Sequence, residues 1–313
     1  MARAASKTPP QSTVRTNAKS FLRHLRAENL SPNTIASYQA SVEQFCSFIE
    51  ANGMPARMPD VKREHVEMWI EDLLASRSAA TANNRYRGLH QFWKWAEEEG
   101  EVTESPMRRM SPPKVPESLV PVLSEVELAR LIKACSGTGF YERRDTALLM
   151  CFMSSGARKS EIGNLRWSDG DATQCDLDLD TARALIKGKG GRDRIVDLTP
   201  KTVKALDRYI RIRSGHRDAE FPWLWLGKRG RLTPTGCARA LEQRAEQAGI
   251  GKIHVHQLRH SFAHYWLLDG GAEESLMRNM GWKSREMLSR YAASSGQERA
   301  LLANRRVGLG SRF

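Results

Sequence analysis

The sequence predicts a mainly α-helical chain with a small antiparallel β-sheet, divided into an N-terminal helical unit and a C-terminal α+β unit. Three observations lead there. Apolar residues recur at helical spacing over most of the 313 residues, a proline-rich stretch without periodicity interrupts them once, and a single glycine-centred segment alternates as strands do. The length suits about two domains, each able to bury its own core.

The first 13 residues contain Pro9-Pro10 and no acidic group, and are expected to form a flexible tail. Helical patterning then runs from Val14 to about Gly100, weakly at first, between Lys19 and Ala27. Ser31-Pro32 reads as a helix start, a capping hydroxyl with proline in the first turn. Ile35, Tyr38, Val42, Phe45 and Ile49 follow on one face, and Gly53 ends the helix. Val66, Trp69, Ile70, Leu73 and Leu74 form a second stripe, and Tyr86, Leu89, Phe92, Trp93 and Ala96 a third. Residues 14–105 thus predict a four-helix unit. Pro106, Pro112, Pro113, Pro116 and Pro121 then mark residues 106–121 as an extended linker. Residues 122–313 form the second unit. It begins with helices around Ser124 to Ala134 and Asp145 to Met153, then turns and alternates between Asp171 and Leu198. Ala182 to Lys187 and Arg194 to Leu198 read as two strands of a hairpin around Gly188-Lys189-Gly190-Gly191. Helices resume at Lys201 to Arg213 and Pro234 to Ala248 and continue to the end.

Composition narrows the function. The net charge is +13, with an excess of +3 before residue 116 and +10 after it. On a chain that is 40% hydrophobic and 27% charged, this is basicity on a folded surface, and it points to a polyanionic partner. The longest apolar run, Ala147 to Met153, falls far short of the roughly 18 residues of a membrane span, so no membrane is expected. The five cysteines are odd in number and contain no Cys-x-x-Cys pair, which predicts buried thiols in a reducing, cytoplasmic setting.

Three segments carry polar residues that folding alone does not require. In Ser155-Gly156-Ala157-Arg158-Lys159-Ser160-Glu161, a glycine before a helix start puts Arg158 in the first turn, where free N–H groups favour an anion. The other reading is a surface Arg158 paired with Glu161. Lys189 sits at the tip of the hairpin, as a solvated charge or as a mobile proton donor. The glycine spacing there does not suit a P-loop, which argues against nucleotide hydrolysis. His254, His256, His260 and His264 raise a metal hypothesis, but no Glu stands between the pairs as in His-Glu-x-x-His, and Arg259 would place a fixed charge beside the ion. A His and an Arg three residues apart on one face suit a phosphate diester instead. Farther on, Trp282 and Tyr291, read singly, are core aromatics.

Taken together and in order, these segments resemble the tyrosine site-specific recombinases, or phage-type integrases, including the Xer-type resolvases and Cre. SGARKSEIGNLRW is similar to the first-arginine box, GKGGRDRIVDL to the β-turn lysine box, HQLRHSFAHYWL to the His-x-Leu-Arg-His box, and GWKSREMLSRY to the terminal tyrosine box. The resemblance implies a helical, SAM-like core-binding domain at 14–105 and a catalytic domain at 122–313 with a C-terminal helix. It also implies DNA cutting and rejoining through a 3′-phosphotyrosyl bond, for integration, excision or dimer resolution. Arg158 and Arg259 would hold the scissile phosphate, Lys189 would protonate the leaving 5′ oxygen, and His256 would share the proton traffic. Tyr291 would be the nucleophile, and Glu161 would orient its neighbours. Ser155 stands where the family usually has Thr. Trp282 stands where most members have His, so it can donate a hydrogen bond to phosphate but accept no proton.

No metal, ATP or other cofactor is implied. Two arginines, a lysine and a histidine can stabilise the charge of a phosphoryl-transfer transition state, and the covalent bond stores the energy of the broken diester. The implied partners are double-stranded DNA with a specific core site, a homotetramer on that DNA, and an accessory directionality factor. Arg77, Arg85 and Arg87 are candidate DNA contacts in the first domain, where the other reading is solvated charge. The stretch before Val14 is too short for the arm-binding domain of larger phage integrases, which predicts a simpler site. The alternatives are a DNA-binding protein of the same fold that no longer cuts, a zinc nuclease built on the histidines, and a type IB topoisomerase.

Overall fold

The computed structural model of the chain describes residues 12–116, 121–168, 171–188 and 191–289, with the single positions 296, 300, 301 and 304. Its packing separates two compact units that divide at residues 118 and 119.

The first unit is built of α1 (Val14–Ala27), α2 (Pro32–Ala51), α3 (Arg63–Ser76) and α4 (Ala79–Glu98). Thr13 caps α1 ahead of the weakly patterned stretch, and Ser31 caps α2 with Pro32 at its start. Phe45 meets Trp69 edge to face at 5.3 Å, and Phe21 meets Phe92 in the same way at 5.5 Å. All five residues of the third stripe are buried along α4. The second stripe is narrower than the sequence suggests. Val66, Trp69 and Leu73 are buried, whereas Leu74 lies off their face and is 45% exposed. Residues 101–109 bend and turn, and residues 110–116 have no regular structure. Even so, Met107 is fully buried in this core, and the carbonyls of Met110 and Pro113 accept bonds from Tyr86 and Asn83. Loss of periodicity there signals irregular backbone packed against α4, with its polar groups satisfied by side chains.

The second unit contains α5 (Glu125–Cys135), α6 (Phe140–Ser155), α7 (Lys159–Gly163), β1 (Leu177–Asp178), β2 (Arg183–Ile186), β3 (Arg194–Asp197), α8 (Pro200–Arg213), β4 (Leu226–Gly227), β5 (Gly230–Arg231), α9 (Pro234–Gln247), α10 (His256–Leu268) and α11 (Glu273–Met280). β1, β2 and β3 form an antiparallel sheet in that order, with Ala184 opposite Val196, and β4 and β5 form a separate pair. The strands β1, β4 and β5 are two residues long, too short to leave a pattern in the sequence. α6 is the central helix, burying Ala147, Leu148, Leu149, Cys151 and Phe152. Cys46, Cys135, Cys151 and Cys237 are buried, and Cys175 is half-buried. Burial pushes the Cys46 thiol up to about 11 and that of Cys135 to about 12. Among the described residues, no helix is long and apolar enough to cross a membrane.

Fully buried Trp225 pins the short helix that carries the first-arginine segment. Its Nε1 donates to the Ile162 carbonyl at 2.7 Å, and its ring stacks on Tyr209 at 5.5 Å. Trp225→Phe removes this buried bond while the Leu165 N–H still donates to the same carbonyl at 3.2 Å, so the variant is expected to lose about 1 kcal/mol. A lower urea midpoint at unchanged slope would report it.

Candidate active site

Helix α6 ends at Gly156, which is left-handed at φ 57°. The chain then reaches Arg158 in an extended conformation, as the N-cap of α7. Arg158 therefore stands one position before the first turn in which the sequence reading put it. Its N–H donates to Glu161 Oε2 at 2.7 Å and its Nη1 to Oε1 at 2.9 Å, while Nη2 lies 3.4 Å from the Gly281 carbonyl. The two sequence readings of Arg158 thus coexist: it pairs with Glu161, and 42% of its side chain remains exposed.

Glu161 is buried, and its carboxylate is also held by Arg194 of β3, through Nη1 at 3.2 Å and Nη2 at 2.8 Å. Burial alone would raise the pKa of this carboxyl. The bonds from Arg194 and from Arg158 outweigh burial and bring it down to about 2. Arg194 is a residue the sequence reading missed.

Arg259 lies in the first turn of α10 and is 2% exposed. Nη1 donates to the Gly156 carbonyl at 2.6 Å and Nη2 to the Met280 carbonyl at 2.7 Å. These carbonyls belong to the C-terminal ends of α6 and α11, which are favourable places for a cation. Trp282 follows α11, is 8% exposed, and packs with Ala263, Leu267, Leu276 and Met280. Its ring lies 5.7 Å from the Arg259 guanidinium. The core reading of Trp282 and its place beside an arginine therefore both hold.

His256 is the first residue of α10, and its ring meets that of His260 edge to face at 4.6 Å. Burial, with the charges of Arg259, Arg158 and Lys159, lowers the His256 pKa below the ordinary histidine value. Burial and the neighbouring His256 and Arg259 lower that of His260 to about 4. For His256 this shift favours the neutral imidazole, whose free ring nitrogen is an acceptor. Among the described residues, no three His, Cys, Asp or Glu side chains are arranged to hold a metal ion.

Lys189 and Tyr291 lie outside the described residues. In the same hairpin, Lys187 is tied to buried Asp176 Oδ1 at 2.7 Å. The predicted C-terminal helix also lies outside the described residues, apart from isolated positions. In the first unit, Arg77 and Arg87 are exposed. Arg85 is half-buried over α2, with Nη1 3.4 Å from the Ser37 carbonyl.

Comparison with known proteins matches residues 121–298 to the phage integrase family and residues 18–100 to the phage integrase N-terminal SAM-like domain. The chain is 34% identical over 283 residues to the tyrosine recombinase XerD of Corynebacterium glutamicum, covering 85% of this chain and 89% of that protein. It is 32% identical over 264 residues to the tyrosine recombinase XerC of Roseiflexus sp. (strain RS-1), covering 82% and 81%. In fold it is similar to the XerH site-specific recombinase bound to a palindromic difH substrate, with a TM-score of 0.72 at 18% identity over 92% of this chain and 83% of that one. It is also similar to a lambda integrase tetramer bound to a Holliday junction, with a TM-score of 0.69 at 15% identity over 90% and 83%.

Proposed function

The chain belongs to the phage integrase family, and from that premise we propose that it is a tyrosine site-specific recombinase acting on double-stranded DNA through a phosphotyrosyl intermediate. The observation that carries this reading for the site is the meeting of Arg158 and Arg259. They come from different helices, yet they lie against the neighbouring carbonyls of Gly281 and Met280. Two guanidinium groups so placed can share the non-bridging oxygens of one phosphate.

In the first step the Tyr291 hydroxyl oxygen attacks phosphorus and the bond to the 5′ oxygen breaks, leaving the 3′ end esterified to the protein. The tyrosine proton passes to a base, for which neutral His256 is suited. The leaving 5′ oxygen takes its proton from Lys189. Arg158, Arg259 and the Trp282 indole N–H stabilise charge on the equatorial oxygens. Attack by the 5′ hydroxyl of a second strand reverses these transfers and rejoins the DNA. A tyrosine with an ordinary pKa of about 10 is a weak nucleophile at pH 7, and a cationic surround makes it usable.

Exposed Arg77 and Arg87 are suited to phosphate contacts on the first domain. The full reaction exchanges strands between two duplexes. Four copies would hold them, in the cytoplasm; the lambda integrase of similar fold is a tetramer bound to a Holliday junction. An accessory factor would set direction.

The test is covalent capture. The protein is incubated in EDTA with a pool of duplexes of random core sequence, quenched in detergent, and resolved on a denaturing gel. Wild type is expected to give a protein-linked DNA band, absent in Tyr291→Phe, whose recovered DNA shares one core sequence. Specific duplex binding without any such band would point instead to a family member that no longer cuts.

A further inference from the structure

Arg194 begins β3 at the edge of the sheet and turns its guanidinium inward, leaving 13% of the side chain exposed. Two of its N–H groups grip both oxygens of Glu161, and Nε donates to the Asn279 carbonyl at 2.7 Å. The end of α11 is therefore met by three arginines on three consecutive carbonyls. Arg194 takes that of Asn279, Arg259 that of Met280 and Arg158 that of Gly281. They come from β3, α10 and the cap of α7. Gly281 suits this place by its left-handed backbone more than by its size. A Cβ on it would lie 3.4 Å from Arg194 Nη1 and 3.6 Å from Arg158 Nη1, on a backbone at φ +60°.

Resting on the strand-transfer reading, we propose that Arg194 is a positioning residue. It locks Glu161, and through Glu161 Arg158, while it ties the end of α11 and the following Trp282 to the strand that leads out of the Lys189 turn. The chemistry requires arginine. Only a planar fork can bind a carboxylate with two parallel N–H groups and still present Nε to a carbonyl. Among the described residues Glu161 is otherwise met only by Arg158, so without Arg194 this buried carboxylate loses one of the two cationic partners seen there. It can then no longer hold Arg158 in one orientation.

The experiment uses the duplex recovered by covalent capture, with wild type, Arg194→Met, Arg194→Lys, Glu161→Gln and the Met/Gln double variant. Binding and single-turnover formation of the protein–DNA adduct are measured separately, below the melting temperature of each variant. Arg194→Met is expected to bind within about threefold of wild type and to form the adduct about 100-fold more slowly, the cost of a displaced positioning group. Arg194→Lys recovers only part of that rate. In the Glu161→Gln background, Arg194→Met adds little, because the two side chains act as one unit. Independent, multiplying effects would overturn the proposal, as would equal losses of binding and rate or full recovery with lysine. A second readout needs no DNA. Titrating the carboxyl carbon of Glu161 by NMR should find it ionised to low pH in wild type and titrating higher in Arg194→Met, which lacks the two bonds that Arg194 donates. An unchanged titration would overturn the role of Arg194. A wild type that forms no adduct with any duplex would overturn the strand-transfer reading instead, leaving the titration to decide on Arg194.

Discussion

Arg259→Gln is expected to slow adduct formation by about a thousandfold, the scale of losing a preorganised donor to a developing oxyanion. Two effects combine. The variant removes a fixed positive charge from the phosphate cradle, and it releases the carbonyls of Gly156 and Met280, which Arg259 holds at 2.6 and 2.7 Å. Unpaired buried carbonyls cost stability as well, about 2–4 kcal/mol for the pair. Arg259→Lys is expected to fare little better. A single ammonium on a flexible stem cannot reach the ends of α6 and α11 together and still face a phosphate. Measuring the adduct rate at a temperature where circular dichroism shows both variants folded separates chemistry from stability. A folded Arg259→Gln that cuts at the wild-type rate would remove Arg259 from the catalytic set.

Asp145→Ala is expected to give the largest loss of stability. Asp145 is buried on α6 between two arginines. Arg144 donates Nε and Nη2 to Oδ1 at 2.9 and 2.7 Å, and Arg244 of α9 donates Nε to Oδ2 at 2.9 Å. The same arginines reach outward, Arg144 to the Leu226 carbonyl in β4 and Arg244 to the Ala134 carbonyl in α5. One carboxylate thus anchors four elements. Removing it leaves buried Arg144 without its counter-charge, a defect that costs about 3–5 kcal/mol. For a unit of this size that corresponds to a fall in Tm of about 6–20 °C. Calorimetry would measure it, and a fall of less than about 3 °C would show that the network is not under the strain of an unpaired charge.

Much of this architecture was legible in the sequence because it is written in helical periodicity and caps. Ser31-Pro32 starts α2 as its residue types require, and the stripe from Tyr86 to Ala96 is buried throughout. Arg158, Glu161, His256, Arg259 and Trp282 lie on elements around the end of α11, where their order along the chain gave no distances. Arg194 was illegible for a specific reason. In Arg194-Ile195-Val196-Asp197, either apolar residue could face inward, and hydrophobicity favours Ile195. The strand instead places Val196 inside and leaves Ile195 62% exposed. Parity then carries Arg194 inward with Val196, where Glu161 meets it. Buried Leu198 shares that face, but the carboxylate that receives Arg194 lies 33 positions away, and no local pattern encodes that partner.

The grip on the end of α11 also sets the charge that the site presents before any DNA arrives. Three guanidinium groups crowded together would repel one another strongly, yet Glu161 supplies a full negative charge, and the C-terminal poles of α6 and α11 supply about half a charge each. The cluster is left with about one net positive charge, opposite and equal to that of a single phosphodiester. The backbone carbonyls thus hold the three guanidinium groups at the end of α11. On the proposed strand-transfer reading, a scissile phosphate entering the cradle would find dipoles and cations already oriented, and the energy needed to reorganise them would be small.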